Sequence, residues 1–547
     1  MNKIKTIASL CLAAVLLTGC VNDDGTYDYK TLADIKVENV PEKMELLSYV
    51  DHIVVDPKII SSEEGEINAD NPNFSVEYKL GYKGMGALGG NDYEAMKSLP
   101  WVELKPTDGF KLDVPANYGS EQYVLWMMIT DKRNNTVTDK LIDISIASTT
   151  SNGWLVYCNE GAAERVRLDM ISQLTSTRIE AIHDIISGMP TLHHATDLGF
   201  VAQMANPGDQ FTAFSKEGAY MLDNEDFKSG EENEFKNATF ASDPGTTIVR
   251  EVPFSASTYD WQVRYRFAFD DQGNAYLKDQ TSGGSVFGFP INALKAGSSA
   301  EFRVAPYVGF SMARPWSTSY KSNALFYDID NKRFLGFLGS SGWDDAEQKM
   351  TPIAETSADQ LFSFTTGKDF VYMESTRRSN GLVYTILQAA DGSRSIYGIN
   401  MSGAGFTPEL YIDKVDAPDF DRATQFAFDS RFPLMFYAVG DKVYLYNLGT
   451  KTAKELDLGL NSGEKVTLLK FNLFRNTDYT ALVDHSDDFL AKQYKLIVAT
   501  YDDSAEGVNN GKVRFYDVDG VNNSVSKDKE FGGFAKVVNV IYREQAN

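Results

Sequence analysis

The chain has 547 residues, a formal net charge of −24, and 43% hydrophobic and 12% aromatic residues. That length exceeds one ordinary domain, and a negative field of this size repels phosphate backbones, which excludes nucleic acid from the expected partners. Its 28 Tyr and 33 Phe favour strands over helices, and three cysteines are too few for a disulfide framework.

Residues 1–19 read as a secretory signal. Lys3 and Lys5 supply positive charge, Ile7 to Leu17 are apolar, and Leu17-Thr18-Gly19-Cys20 closes the stretch. The run is too short to span a bilayer, which takes about 20 apolar residues, and no later segment is long enough either. Leu-Thr-Gly-Cys resembles the bacterial lipobox, which implies cleavage before Cys20 and acylation of its thiol. Acyl chains gain about 0.8 kcal/mol per buried CH₂, so they anchor a protein without a transmembrane helix. Val21-Asn22-Asp23-Asp24-Gly25 is similar to the export tag of Bacteroidota surface lipoproteins, which implies display on the outside of the outer membrane. Residues 20–32 form the anchor and tether.

Residues 33–148 carry the texture of a β-sandwich. Phe74 to Leu80 alternates, and Tyr123 to Asp131 runs into the polar turn Lys132-Arg133-Asn134-Asn135. The return strand sets Ile142, Ile144 and Ile146 on one face and Leu141, Asp143 and Ser145 on the other. Trp101 and Trp126 read as core of this domain. The Tyr-x-Leu-x-Met-x-Ile-x-Asp spacing at Tyr123–Asp131 is similar to the closing hairpin of PKD-like domains, which implies an immunoglobulin-like sandwich. The Trp-Asp-Phe-Gly-Asp-Gly turn of PKD domains is absent; Val76 to Tyr82 stands near its place.

After the linker Ser148 to Gly153 the texture changes, and residues 152–547 read as one β-propeller-like domain. Strand-turn-strand units recur, with Phe211, Phe267 and Phe326 spaced by roughly 56 and 59 residues, and the units number about seven. Hairpins at Asp271-Gln272-Gly273-Asn274 and Asp391-Gly392 mark them, and the last unit, from Val466 to Tyr542, has an insertion near Asp484 to Phe489. A pair of stacked sandwiches is the alternative. Thr177-x-x-Glu180 with Ile179, Ile182 and Ile186 predicts one helix. Cys158, inside Trp154-Leu155-Val156-Tyr157-Cys158, reads as a small buried hydrophobe. With the lipobox, the hairpin and the run Trp154 to Met170, the chain resembles the PKD-like lipoproteins of Bacteroidota.

Chemistry-bearing motifs are few. His193-His194 with Asp197 invites a metal reading, but neighbouring histidines on a strand face opposite ways, and no zinc spacing supports it. The acids Asp328 with Asp330, Asp502 with Asp503, and Asp517 with Asp519 lack a calcium loop and read as Asx-turns. No Gly-x-Ser-x-Gly elbow, P-loop or sialidase Asp-box occurs. Neither a metal nor a cofactor is expected. Trp261, Trp316 and Trp343 fall outside the cleanest strand runs, the last two beside the polar stretches Ser317-Thr318-Ser319 and Ser340-Ser341-Gly342, and offer flat faces to sugars or peptide side chains.

The expectation is therefore a non-enzymatic surface lipoprotein that binds an oligosaccharide or peptide. The family resemblance implies an accessory role beside a SusC/SusD-type outer-membrane importer. An extracellular propeller hydrolase or lyase is the alternative.

Overall fold

The computed structural model describes residues 33–48, 51–83, 99–119, 121–147, 153–175, 178–182, 185–201, 210–224, 227–240, 243–254, 265–279, 286–294, 299–311, 323–338, 349–355, 357, 359–401, 405–474 and 490–543. It is nearly all β-structure and separates into two compact units, Met1–Ala147 and Ser148–Asn547. No helix among the described residues is long and apolar enough to cross a membrane.

In the first unit a five-stranded sheet joins Lys43–Leu47, Thr136–Ala147, Gln122–Asp131, Phe74–Tyr82 and Trp101–Leu104 in that spatial order. Among the described residues the unit also holds a three-stranded and a two-stranded sheet. The hairpin of Gln122–Asp131 with Thr136–Ala147 has the register that the alternation demands, with Leu141 opposite Trp126 and Ile144 opposite Tyr123. Leu125, Met127, Ile129, Ile142, Ile144 and Ile146 point into one core.

The same parity corrects the expectation for the two tryptophans. Trp126 lies between the inward Leu125 and Met127, so it must face away from that core. Its Nε1–H donates to Asp139 Oδ2 at 2.8 Å, and its ring lies 5.4 Å from that of Trp101. Trp101 covers Gly81, where a Cβ would come within 2.8 Å of the ring. Glycine is needed there for the close approach.

The second unit contains seven small antiparallel sheets among the described residues, each built from strands consecutive in sequence. This serial order is that of a propeller-like fold rather than of two stacked sandwiches. The sheets begin at Gly153–Glu160, Ala195–Val201, Ile248–Phe254, Asn323–Asp328, Asp369–Ser375, Gln425–Phe428 and Glu464–Lys470. One departure from serial order closes the set: Lys536–Arg543 pairs with Gly153–Glu160, so the first sheet takes a strand from the far end of the chain. Trp154 sits at that seam, its ring 4.8 Å from Phe515 and 4.9 Å from Tyr542. Aromatic cores fill the spaces between sheets, and the Tyr157 hydroxyl donates to the Phe214 carbonyl at 2.9 Å across the first such interface. Burying each large side chain stabilises by about 1.5–3 kcal/mol.

The helix expected from Thr177 is absent. Arg178–Ile182 is a strand on the outer edge of the first sheet, antiparallel to Arg165–Thr175. β-Branched isoleucine fits a pleat, and Arg165–Thr175 offers its open edge for pairing. Tertiary pairing wins.

A candidate axial binding site

Opening strands touch between the first and second, second and third, fifth and sixth, and sixth and seventh sheets, and the same local irregularity recurs in several of them. The register slips by one residue between Ala195 and Asp197, Ile248 and Arg250, Phe370 and Tyr372, and Val466 and Leu468. In Lys536–Arg543 it slips between Val537 and Asn539. A bulge inserts an extra residue and re-aims the side chain that follows it. Here it redirects Asp197, Arg250, Tyr372 and Asn539. Glu374 and Lys470 lie two residues beyond a bulge or its successor, on the same side of their strands.

These side chains meet in an unbroken series that draws on six of the seven sheets and, at Tyr307, on the segment bridged to the fourth sheet through Gly309 and Leu325. Lys470 Nζ donates to Asn539 Oδ1 at 2.8 Å, and Asn539 Nδ2 donates to Asp197 Oδ1 at 2.6 Å. Asp197 Oδ2 lies 3.0 Å from Arg250 Nε. The Arg250 guanidinium stacks 4.5 Å over Tyr307, a cation–π contact, and donates to the Pro306 carbonyl at 3.1 Å. Tyr307 meets Tyr372 with centroids 5.7 Å apart, and the Tyr372 hydroxyl donates to Glu374 Oε2 at 3.1 Å. That same oxygen accepts the Phe428 backbone N–H at 2.8 Å. The route runs from the seventh sheet through the first to the sixth.

Burial sets the electrostatics. It pushes the Glu374 carboxyl up to about 8, against the hydrogen bonds from Phe428 and Tyr372, so the group is protonated at neutral pH. Burial, with help from the Arg250 charge, lowers the Lys470 ammonium to about 8. It also raises the Tyr372 phenol well above its ordinary value. Burial opposes the Arg250 charge too, but Asp197, Tyr307 and Tyr372 outweigh it and lift that group above its usual range. Arg250 still keeps 31% of its side chain accessible and Asp197 14%, so solvent reaches the cluster.

Sequence reasoning named none of these residues as a site. The available signal was a charged or amide residue at a matching place in the opening strand of several units, as in Ala-Thr-Asp-Leu-Gly and Ile-Val-Arg-Glu-Val. The residues it did name, Cys20, Trp261, Trp316 and Trp343, lie outside the described residues, as do His183, His485 and the segment Asp484 to Phe489. His193 and His194 are placed, and they part. His193 Nδ1 lies 3.0 Å from Glu217 and His194 Nδ1 2.7 Å from Glu164, on different strands' loops. No group of three metal-ligating side chains occurs among the described residues. One acid of each pair forms an Asx-turn: Asp328 Oδ1 accepts from the N–H of Asp330 and Asn331, Asp502 Oδ1 from Ser504, and Asp519 Oδ1 from Val521 and Asn522. Cys158 is buried and free, and burial raises its thiol well above the ordinary range.

No protein-family model matches the sequence, and no curated protein matches it. Among solved structures, a quinonprotein alcohol dehydrogenase-like protein (BT1487) from Bacteroides thetaiotaomicron is similar at 12% identity, with 94% of this chain and 96% of that one covered and a TM-score of 0.35. Sqt1 from Saccharomyces cerevisiae is similar at 10% identity over 71% of this chain and 88% of its own, with a TM-score of 0.39. Hsv2 from Kluyveromyces lactis is similar at 8% identity over 70% and 99%, with a TM-score of 0.34. Likenesses this weak carry nothing about chemistry.

Proposed function

We propose that this chain is a non-enzymatic binding protein of the bacterial outer membrane, acylated at Cys20 and displayed at the cell surface. On this reading the first unit is an immunoglobulin/PKD-like sandwich and the second a seven-bladed propeller that captures an oligosaccharide or peptide beside a SusC/SusD-type importer. The lipobox-like Leu17-Thr18-Gly19-Cys20 supports the location, and tethering would raise the effective concentration of captured ligand at the importer. The observation that carries binding over catalysis is the axial cluster itself. It gathers hydrogen-bonding and aromatic groups from six of the seven sheets in one place, as capture of a polar ligand requires.

The decisive experiment is a pull-down from detergent-solubilised outer membrane with the tagged full-length chain. Recovery of an importer pair supports the reading; its repeated absence overturns the importer association. Labelled palmitate should enter the wild-type chain and not Cys20→Ser. Entry into both, or into neither, removes the anchor.

One observation favours a hydrolase or lyase as the second reading. Glu374 holds its proton to about pH 8, as a general acid must. Turnover of a polysaccharide or peptide panel, lost in Glu374→Gln, would establish that reading in place of the first.

A further inference from the structure

The hydrogen-bonding balance of the axial cluster is one-sided. Most of its acceptors are taken: Asp197 Oδ1 by Asn539 and the Leu198 N–H, Asn539 Oδ1 by Lys470 and the Val540 N–H, and Glu374 Oε2 by Tyr372 and the Phe428 N–H, while Asp197 Oδ2 faces Arg250 Nε at 3.0 Å. Its donors are less fully met, although Arg250 donates to the Pro306 carbonyl. Lys470 commits one ammonium hydrogen to Asn539, and no acceptor among the described residues takes the other two. Arg250 Nε is buried beside Asp197 yet makes no aligned hydrogen bond. Leaving buried donors unmet is costly, and the two cations also repel, since the Arg250 charge lowers the proton affinity of Lys470.

We infer that the axial cluster is a receptor for the carboxylate of a small acidic ligand, held between Lys470 and Arg250. Such a group supplies the missing acceptors and separates the two like charges, and it makes charge-assisted bonds, the strongest a side chain forms. The Glu374 carboxyl, protonated at neutral pH, adds a further O–H rather than a repelling charge. Tyr307 and Tyr372 provide a flat apolar wall beside it. The inference rests on the binding reading above and narrows it to acidic ligands. Two sources share this chemistry, the uronate of an acidic sugar and the free carboxyl end of a peptide.

Calorimetry on the detergent-solubilised full-length chain tests it with four probes: a galacturonate oligomer, the matching neutral galactose oligomer, an acetylated dipeptide acid, and its amide. One of the two acids is expected to bind saturably, at least about tenfold tighter than its neutral counterpart; which acid does so identifies the source. Lys470→Met should abolish that binding, Lys470→Arg should retain it, and Lys442→Met, in an exposed pair with Glu455, should leave it unchanged. Circular dichroism confirms folding of each variant, and Lys470→Arg keeps the test informative if Lys470→Met is unfolded. Equal binding of acid and neutral probes, undiminished in Lys470→Met, would overturn the carboxylate site while leaving a binding protein. Saturable heat from none of the four would overturn the site whatever the pull-down recovers.

Discussion

Asn539 donates a 2.6 Å hydrogen bond to Asp197 across 342 positions of sequence, and its carbonyl oxygen accepts from Lys470. One amide thereby joins three sheets. Asn539→Ala would leave Lys470 without its acceptor and take from Asp197 Oδ1 all but the Leu198 N–H. The expected loss is about 2–3 kcal/mol, from two bonds to charged groups, read as a lower urea midpoint at unchanged slope. A variant as stable as wild type would show that the bridge contributes nothing.

Glu374 predicts a pH dependence. Its folded value of about 8 lies above its ordinary 4.5, so the folded chain holds a proton that the unfolded chain releases. Its contribution is fully present below about pH 4.5 and is lost as pH rises through about 8. Lys470, lowered to about 8, adds the opposite slope only above that point, because there the unfolded chain binds the extra proton. Glu374→Gln keeps an acceptor for Tyr372 and the Phe428 N–H but cannot titrate. Its melting temperature should therefore fall less than that of wild type between pH 5 and 8, the gap being ~2 °C or more. Parallel curves would refute the assignment.

Cys158 lies within Gly153–Glu160, fully buried. A thiol raised in this way presents almost no thiolate. Iodoacetamide at pH 8 should leave it unmodified in the folded protein and label it stoichiometrically in urea, as mass spectrometry of its peptide would report.

Arg514 is buried in the seventh sheet, 2.8 Å from Glu464, and it also donates to Thr500 and Glu530. Burial works to raise the Glu464 carboxyl, but bonds from Arg514, Lys512 and Thr500 prevail and hold it at about 2. Arg514→Met should cost about 3–5 kcal/mol at neutral pH, the penalty of breaking a buried pair from one side. Because Glu464 is depressed, its contribution is present above about pH 4.5 and lost as pH falls towards 2. The gap between variant and wild type should narrow in acid.

Removing residues 536–547 takes the inner strand from the first sheet and bares Trp154, Val156 and Cys158 on their core side. The truncated chain should lose its cooperative thermal transition in the second unit and bind a hydrophobic dye. A sharp transition at the wild-type temperature would refute the role given to that strand.

Hairpins were legible in the sequence because strand alternation and turn chemistry are local. Tyr123 to Ile146 has the strands, turn and inward isoleucines that its pattern implies. Recurrence of aromatic strand pairs likewise foretold a series of small sheets. Two kinds of feature stayed hidden. Pairing of Gly153–Glu160 with Lys536–Arg543 leaves no local trace, and the axial residues look like ordinary solvent-facing positions until bulges turn them inward. Arg178 to Ile182 misled because a short isoleucine-containing run satisfies helical and strand periods alike. Trp101 and Trp126 misled because size suggested burial while parity decided the face.

Translation proceeds from the amino end, so the strand beginning at Gly153 is made nearly four hundred residues before its last neighbour. Throughout that interval it presents bare N–H and C=O groups flanked by Trp154, Val156 and Cys158, an invitation to pair with another copy of itself. That edge stays open until Lys536–Arg543 has been made, and any delay in between lengthens the exposure.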